Sequence, residues 1–189
     1  TRGVPGTHDT KMLFQCIKKL KNNNFKKMTI PKFDKSIDDR CSKNKWLKIK
    51  KKPNIVIFEG WCVGARAQKN KDLNFPINKL EKQEDSKKIW RRKVNSELKK
   101  SYKKIFNLKD KLIFLKVPSF KYVFKWRLLQ EKKLRVTGKG KKTMTDVQIK
   151  KFVMYYERIT KHMLKTLSKK ASTVISIDEK HRLKSIKFN

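Results

Sequence analysis

The chain has 189 residues, enough for one domain with a real core. Its 37% hydrophobic share includes 11 Phe and 4 Trp, which argues against disorder throughout, and no apolar run approaches the ~18 residues of a membrane helix. Lys and Arg number 53 against 16 acidic residues, for a net charge of +37.

Such a charge normally points to nucleic acid. Here the lysines fall along the whole chain, arginine is sparse, and Lys, Asn, Ile and Phe are all plentiful. A lysine-rich surface from a compositionally biased genome accounts for that pattern better than a dedicated nucleic-acid module. Salt-sensitive sticking to polyanions is expected, but neither a specific nucleic-acid partner nor a membrane is. Cys16, Cys41 and Cys62 are widely spaced and form no CxxC pair, which argues against structural disulfides or zinc and fits a reducing cytoplasm. No signal peptide is visible. The first residue is Thr1, inside what looks like a motif, and the chain reads as a fragment or a processed product.

Thr1 to Asp9 reads TRGVPGTHD, a tight loop punctuated by Gly3, Pro5 and Gly6. Thr7 or Asp9 can cap the helix that follows, whose face carries Met12, Leu13, Cys16, Ile17 and Leu20 before Asn22 to Asn24 end it. His8 and Asp9 either hold a substrate or serve the cap; local pattern alone favours the cap. A short strand up to Ile30 meets Pro31 and a polar loop with Asp34, Lys35, Ser36, Asp38, Asp39 and Arg40. Those acids stand out in so basic a chain. They can orient hydroxyls or a metal-bound water, or simply form a solvated Asx-rich turn. Cys41 to Pro53 reads as a basic linker.

Ile55-Val56-Ile57-Phe58 reads as a strand buried on both faces, stopped by Glu59 and Gly60. Ligands of open α/β sheets bind just beyond the carboxyl ends of the strands, where Glu59 would hold Mg²⁺ or take a proton. A helix over Ile89 to Phe106 carries Trp90, Val94, Leu98, Tyr102 and Ile105 or Phe106 as core packing. Leu112 to Val117 is a second buried strand. The next helix runs from Ser119 to about Arg135, with Arg127 and Glu131 spaced to pair across one turn. Arg127 and Arg135 lead into the glycine-containing loop VTGKGKKT, which suits either a lid closing on phosphates or a plain salt-bridged face. That loop is not a GxxxxGK[ST] phosphate loop, and the chain contains none. Thr145 and Gln148 have capping-box spacing at the start of a helix reaching Leu167. Thr173 to Ile177 is a third buried strand, and His181 to Phe188 an edge strand or tail.

The segments RGVPGTHD (2–9), PKFDKSIDDR (31–40), IFEGWCVGA (57–65), PINKLEKQED (76–85), VPSFKYVFKWRLLQEKKLR (117–135) and FVMYYERIT (152–160) lie in one order along the chain. In that order they resemble the D-glycerate 3-kinase family of P-loop kinases, the bacterial branch above all. The resemblance implies one domain over 1–189, the carboxy-terminal part of a P-loop kinase, with a lid region at about 119–145. It implies an α/β fold with a parallel sheet flanked by helices, ATP and Mg²⁺ as cofactors, and γ-phosphoryl transfer to D-glycerate in the cytoplasm. By resemblance Glu59 is the Walker B-type acid near Mg²⁺ or its waters. His8, Asp9, Asp34, Asp38 and Arg40 lie on the substrate side. Arg127, and with it Arg135 and Lys139, are lid residues that meet phosphates. Arg158 is either a phosphate contact or a structural ion pair, and the structural reading is preferred.

The chain departs from the family where nucleotide is held. The resemblance implies a first strand, a Walker A loop with its helix, and a second, acid-bearing strand ahead of Thr1. Without the central strand, the segments at Ile55 and Leu112 are expected to expose unpaired backbone and apolar side chains. The 189-residue chain alone is therefore expected neither to bind ATP tightly nor to turn over. A kinase for another small hydroxy acid or polyol, a non-catalytic partner and a basic nucleic-acid-binding protein remain the competing readings.

Overall fold

The computed structural model describes residues 3–34, 37, 39–136 and 143–189. The chain divides into two compact units, one of Asp9–Gly60 and one joining Thr1–His8 to Trp61–Asn189.

In the smaller unit, helix α1 (Thr10–Lys21) starts where Asp9 accepts the Met12 amide at 3.0 Å. That satisfies one of the donors a helix start leaves unpaired. The chain leaves α1 at Asn22 in an extended conformation. Of its apolar face only Ile17 and Leu20 are buried, each worth about 1.5–3 kcal/mol. Strands β1 (Met28–Ile30), β2 (Phe33–Asp34), β3 (Asp39–Arg40) and β4 (Leu47–Ile49) follow. β1 pairs antiparallel with β4, and β2 with β3 as a minimal hairpin. The expected linker over Cys41–Pro53 thus contains a strand. Three residues, Leu47-Lys48-Ile49, flanked by lysines carry too little pattern for sequence reading to find. Trp46 steadies the approach to it by donating its indole N–H to the Cys41 carbonyl at 2.8 Å.

The expected strand at Ile55–Phe58 does not form, and Ile55 and Ile57 stand 77% and 86% exposed. A strand persists only with a neighbour to share its ladder. None of the strands of this unit pairs with the segment. The exposure expected for it is observed; the strand is not.

The larger unit contains helices α2 (Lys79–Glu84) and α3 (Ile89–Glu97), and α3 runs without a break through a π-helical turn (Leu98–Tyr102) into α4 (Lys103–Phe106). Then come β5 (Ile113–Lys116), α5 (Phe120–Val136), α6 (Asp146–Thr166), β6 (Thr173–Ile177) and β7 (Leu183–Phe188). The sheet order is β5-β6-β7, with β5 and β6 parallel and β7 antiparallel at the edge. A parallel pair separated by two helices, beside helical layers, makes this an α/β fold. α6 opens on the expected capping box: Thr145 accepts the Gln148 amide, and Gln148 accepts that of Thr145.

Val94, Leu98, Ile105, Phe106, Phe114, Ile149, Val153, Met163, Leu167 and Val174 form the core. They come from one face each of the α3–α4 rod, α6, β5 and β6. β5 is buried on one face only, which departs from a strand buried on both faces and matches the apolar exposure expected of the Leu112 segment. Phe114 points inward, while Ile113 and Leu115 are about three-fifths exposed on the other side. The register carries that open face across the sheet, with Leu115 beside Ile175 and Ile175 beside the half-exposed Ile186.

Two buried arginines hold the Leu73–Asp85 segment against the helices. Arg91 donates to the Leu73 carbonyl at 2.8 Å, and to the Asp85 carbonyl at 2.7 Å and carboxylate at 3.1 Å. Arg158, on α6, grips Glu81 with Nε to Oε1 at 2.7 Å and Nη2 to Oε2 at 2.6 Å. It also donates to the carbonyls of Asp72 and Phe75. A planar guanidinium with several donors suits such a junction, where lysine would leave carbonyls unpaired.

Candidate active site

The loop of the RGVPGTHD segment is held in place from several sides. Gly3 has φ +118 and donates its amide to Thr7 Oγ1, which in turn donates to the Val4 carbonyl at 2.7 Å. A Cβ on Gly3 would lie 2.8 Å from Tyr156 Oη, so the loop backbone approaches α6 as only glycine allows. Trp61 donates its indole N–H to the Gly3 carbonyl at 2.6 Å and meets Tyr156 edge to face. Val4 and Pro5 are fully buried.

His8 ends this loop. Its Nδ1 lies 2.5 Å from the hydroxyl of Tyr102, which also accepts the Gly6 amide at 3.2 Å. Tyr102 is itself 3% exposed, at the last position of the π-turn. Burial pushes its phenol above the usual value, and the amide donors oppose that. Sequence reading assigned Tyr102 to core packing and missed this polar contact. The signal was present in the strict spacing of four from Val94 through Leu98 and Tyr102 to Phe106. Four residues turn an α-helix through ~400°, so such a stripe drifts by ~40° per step unless a wider turn absorbs the drift.

In the smaller unit the structure brings Asp9 and Arg40 together. Arg40 Nη1 lies 3.4 Å from Asp9 Oδ2, with both side chains about half exposed. Arg40 also donates its amide to its neighbour Asp39 at 2.6 Å. Asp34 and Asp39 are directly opposed across the β2–β3 hairpin, so their side chains share a face. Asp39, one of the loop acids noted in the sequence but not among the residues the resemblance implies, thus joins Asp34 where like charges face each other. Asp38 lies outside the described residues. An exposed pair at 3.4 Å is worth only ~0–1 kcal/mol, and among the described residues the other side-chain contact of Arg40 Nη1 is to Met12 Sδ at 3.7 Å.

Glu59 lies in the same unit, exposed, in a segment without regular structure. No group of three or more His, Cys, Asp or Glu side chains gathers as a metal cage among the described residues. Mg²⁺ in phosphoryl-transfer sites takes one or two carboxylates, with waters and substrate phosphates completing its shell. An open Glu59 carboxylate fits that role. The phosphate cradle does not fit, because the sequence offers no GxxxxGK[ST] loop.

Arg127 and Arg135 lie on α5, as expected. Arg127 pairs with Glu131 at 2.6 Å and lies over the Phe152 ring. Glu131 is 2% exposed and accepts the Met144 amide at 2.6 Å. That amide, then Arg127, holds its carboxyl below the usual range. Arg135 donates to the Met144 carbonyl and pairs with Asp146 at 3.0 Å. Both arginines therefore tie the end of α5 to the start of α6. Lys139 lies outside the described residues. Arg158 is the structural residue preferred above, since its donors are engaged by Glu81 and two carbonyls.

No family model matches the sequence. Curated relatives do. Uncharacterized kinase mug58 of Schizosaccharomyces pombe is 32% identical over 175 residues, spanning 89% of this chain and 61% of that protein. D-glycerate 3-kinase, chloroplastic, of Arabidopsis thaliana is 26% identical over 173 residues, spanning 88% of this chain and 35% of that one. The chain thus covers less than two thirds of the length of either. Among solved structures, D-glycerate 3-kinase from Cryptococcus neoformans superposes with a TM-score of 0.80 over all of this chain and 69% of its own, at 22% identity. That likeness fixes the fold, and the sequence relatives, matched along nearly the whole chain, fix the lineage. The chain is a homologue of D-glycerate 3-kinase and related kinases.

Proposed function

We propose that this chain is the substrate-side and lid-side part of an ATP-dependent kinase that transfers the γ-phosphoryl group to a hydroxyl of D-glycerate. The observation that carries the reading is the meeting of Asp9 and Arg40. They come from two separate family segments, and Asp39, the residue before Arg40, opposes Asp34 across the β2–β3 hairpin. A small hydroxy acid needs both chemistries: an arginine fork for its carboxylate and acceptors for its hydroxyls.

In this reading Arg40 binds the substrate carboxylate. Asp9, Asp34 and Asp38 accept hydrogen bonds from its hydroxyls, and His8 contacts a substrate oxygen. Glu59 holds a water of nucleotide-bound Mg²⁺, and that ion supplies charge neutralisation on the phosphates when bound. Arg127, Arg135 and Lys139 are the phosphate-side lid residues, within a single kinase domain whose parallel sheet is of the P-loop type. Reaching a phosphate requires Arg127 to loosen its hold on Glu131. The nucleotide phosphate cradle comes from outside these 189 residues. A cytoplasmic place of action accords with three free cysteines, of which buried Cys62 has its thiol pushed up to about 12. Among the described residues no helix is long and apolar enough to cross a membrane.

The test is ATP-dependent phosphorylation by the natural polypeptide that carries this sequence, offered D-glycerate and a panel of other three- and four-carbon hydroxy acids and polyols. D-glycerate should give the highest kcat/KM, and the 189-residue chain alone should give no turnover. A clear preference for another acceptor would redirect the substrate assignment. Turnover by the isolated chain would overturn the placement of the phosphate cradle.

A further inference from the structure

The π-turn of the α3–α4 rod ends on Tyr102, and single-turn π segments inside α-helices concentrate at functional sites. The Tyr102 side chain is buried, and its hydroxyl faces two groups of the Gly3–His8 loop. The Gly6 amide donates to it at 3.2 Å, and His8 Nδ1 lies 2.5 Å away. A phenol has two acceptor lone pairs and one proton. With the Gly6 amide already donating to the oxygen, the phenol proton can turn toward Nδ1. A neutral imidazole that accepts at Nδ1 carries its own proton on Nε2.

We propose that Tyr102 is a positioning residue for His8: its hydroxyl donates to Nδ1 and fixes the imidazole as the Nε2–H tautomer, which donates a hydrogen bond to an oxygen of the bound hydroxy acid. The inference rests on the reading of His8 as a substrate-side residue. It adds the group that orients the ring and the polarity with which the ring meets the substrate. The loop is built to keep that geometry. Gly6 at φ +100 has room for a Cβ only 3.1 Å from Glu97 Cγ, and Gly3 is locked by Trp61 and Tyr156. The Tyr102 ring itself is wedged edge-on against Phe106 and His8.

The experiment is two-bond ¹H–¹⁵N NMR of the imidazole in the full 189-residue chain at pH 8, where an ordinary histidine is neutral. His8 is assigned with His8→Gln. The expected result is an Nε2–H tautomer for His8, changed in Tyr102→Phe to a mixture of both tautomers while the amide spectrum stays folded. An Nδ1–H tautomer in the unaltered chain would overturn the proposal whatever the variant does. An unchanged His8 tautomer in a folded Tyr102→Phe would overturn it equally. Titration with D-glycerate separates the two levels. If the tautomer depends on Tyr102 but D-glycerate leaves His8 Nε2 unmoved, the positioning stands and the substrate-side reading of His8 falls. If both hold, Tyr102→Phe should weaken D-glycerate binding ~10-fold, the loss of about one hydrogen bond's discrimination.

Discussion

Arg158 decides between a structural and a phosphate-binding reading of the YERIT segment, and its removal has a calculable cost. Arg158→Ala takes away both donors to Glu81, at 2.7 and 2.6 Å, and those to the Asp72 and Phe75 carbonyls at 2.9 and 2.8 Å. The Arg158 and Glu81 side chains are only 9% and 12% exposed, so the carboxylate left behind is largely out of water. Breaking a buried pair by removing one partner costs ~3–5 kcal/mol, mostly the penalty of the stranded charge. At ~2–4 °C per kcal/mol for a chain of this size, the melting temperature should fall by roughly 6–20 °C. Thermal and urea unfolding followed by tryptophan fluorescence measure this. Arg158→Lys should recover less than half, because an ammonium cannot reproduce the fork on Glu81 and reach two carbonyls at once. A loss below ~1 kcal/mol on Arg158→Ala, together with a large fall in turnover of the natural kinase, would refute the structural reading.

Gly3→Ala places a methyl 2.8 Å from Tyr156 Oη at φ +118, and should cost ~1–3 kcal/mol while shifting the Trp61 indole N–H resonance; an unshifted indole signal at full stability would contradict the tight loop. Glu131 makes stability pH-dependent. Its folded carboxyl lies below the usual value, first through the Met144 amide and then through Arg127. Its contribution is therefore fully present above the unfolded value of ~4.3 and is lost as pH falls through the folded one. Unfolding free energy should rise with pH in this acid window, and Glu131→Gln should flatten that slope; superimposable slopes would refute the assignment.

Much of the fold was legible because its signals are local. The capping box at Thr145, the Asp9 cap, the α6 stripe and the Arg127–Glu131 spacing each follow from residues within two turns of one another. What failed was non-local. Ile55–Phe58 has the composition of a buried strand, but strand formation depends on a partner elsewhere, and among the described residues no strand pairs with the segment. β5 formed because β6 pairs with it, yet its apolar outer face stays open. The site was legible at the level of segments. Asp34, Asp38 and Asp39 stood out against a basic chain, Asp9 by its loop-to-helix position and Arg40 by the family resemblance, and the structure joins Asp9 to Arg40. Tyr102 was missed because a tyrosine on an apolar stripe looks like packing, and only the π-turn aims its hydroxyl at His8.

Arg40 offers the sharpest test of the kinase reading. Arg40→Ala in the natural polypeptide should raise KM for D-glycerate ~10–100-fold, the worth of a charge-assisted pair with a carboxylate, and leave KM for ATP within about twofold. The outer position of Arg40, about half exposed, makes a folding defect a poor alternative explanation. An unchanged KM for D-glycerate, or an equal loss against ATP, would contradict the assignment of this unit to the substrate.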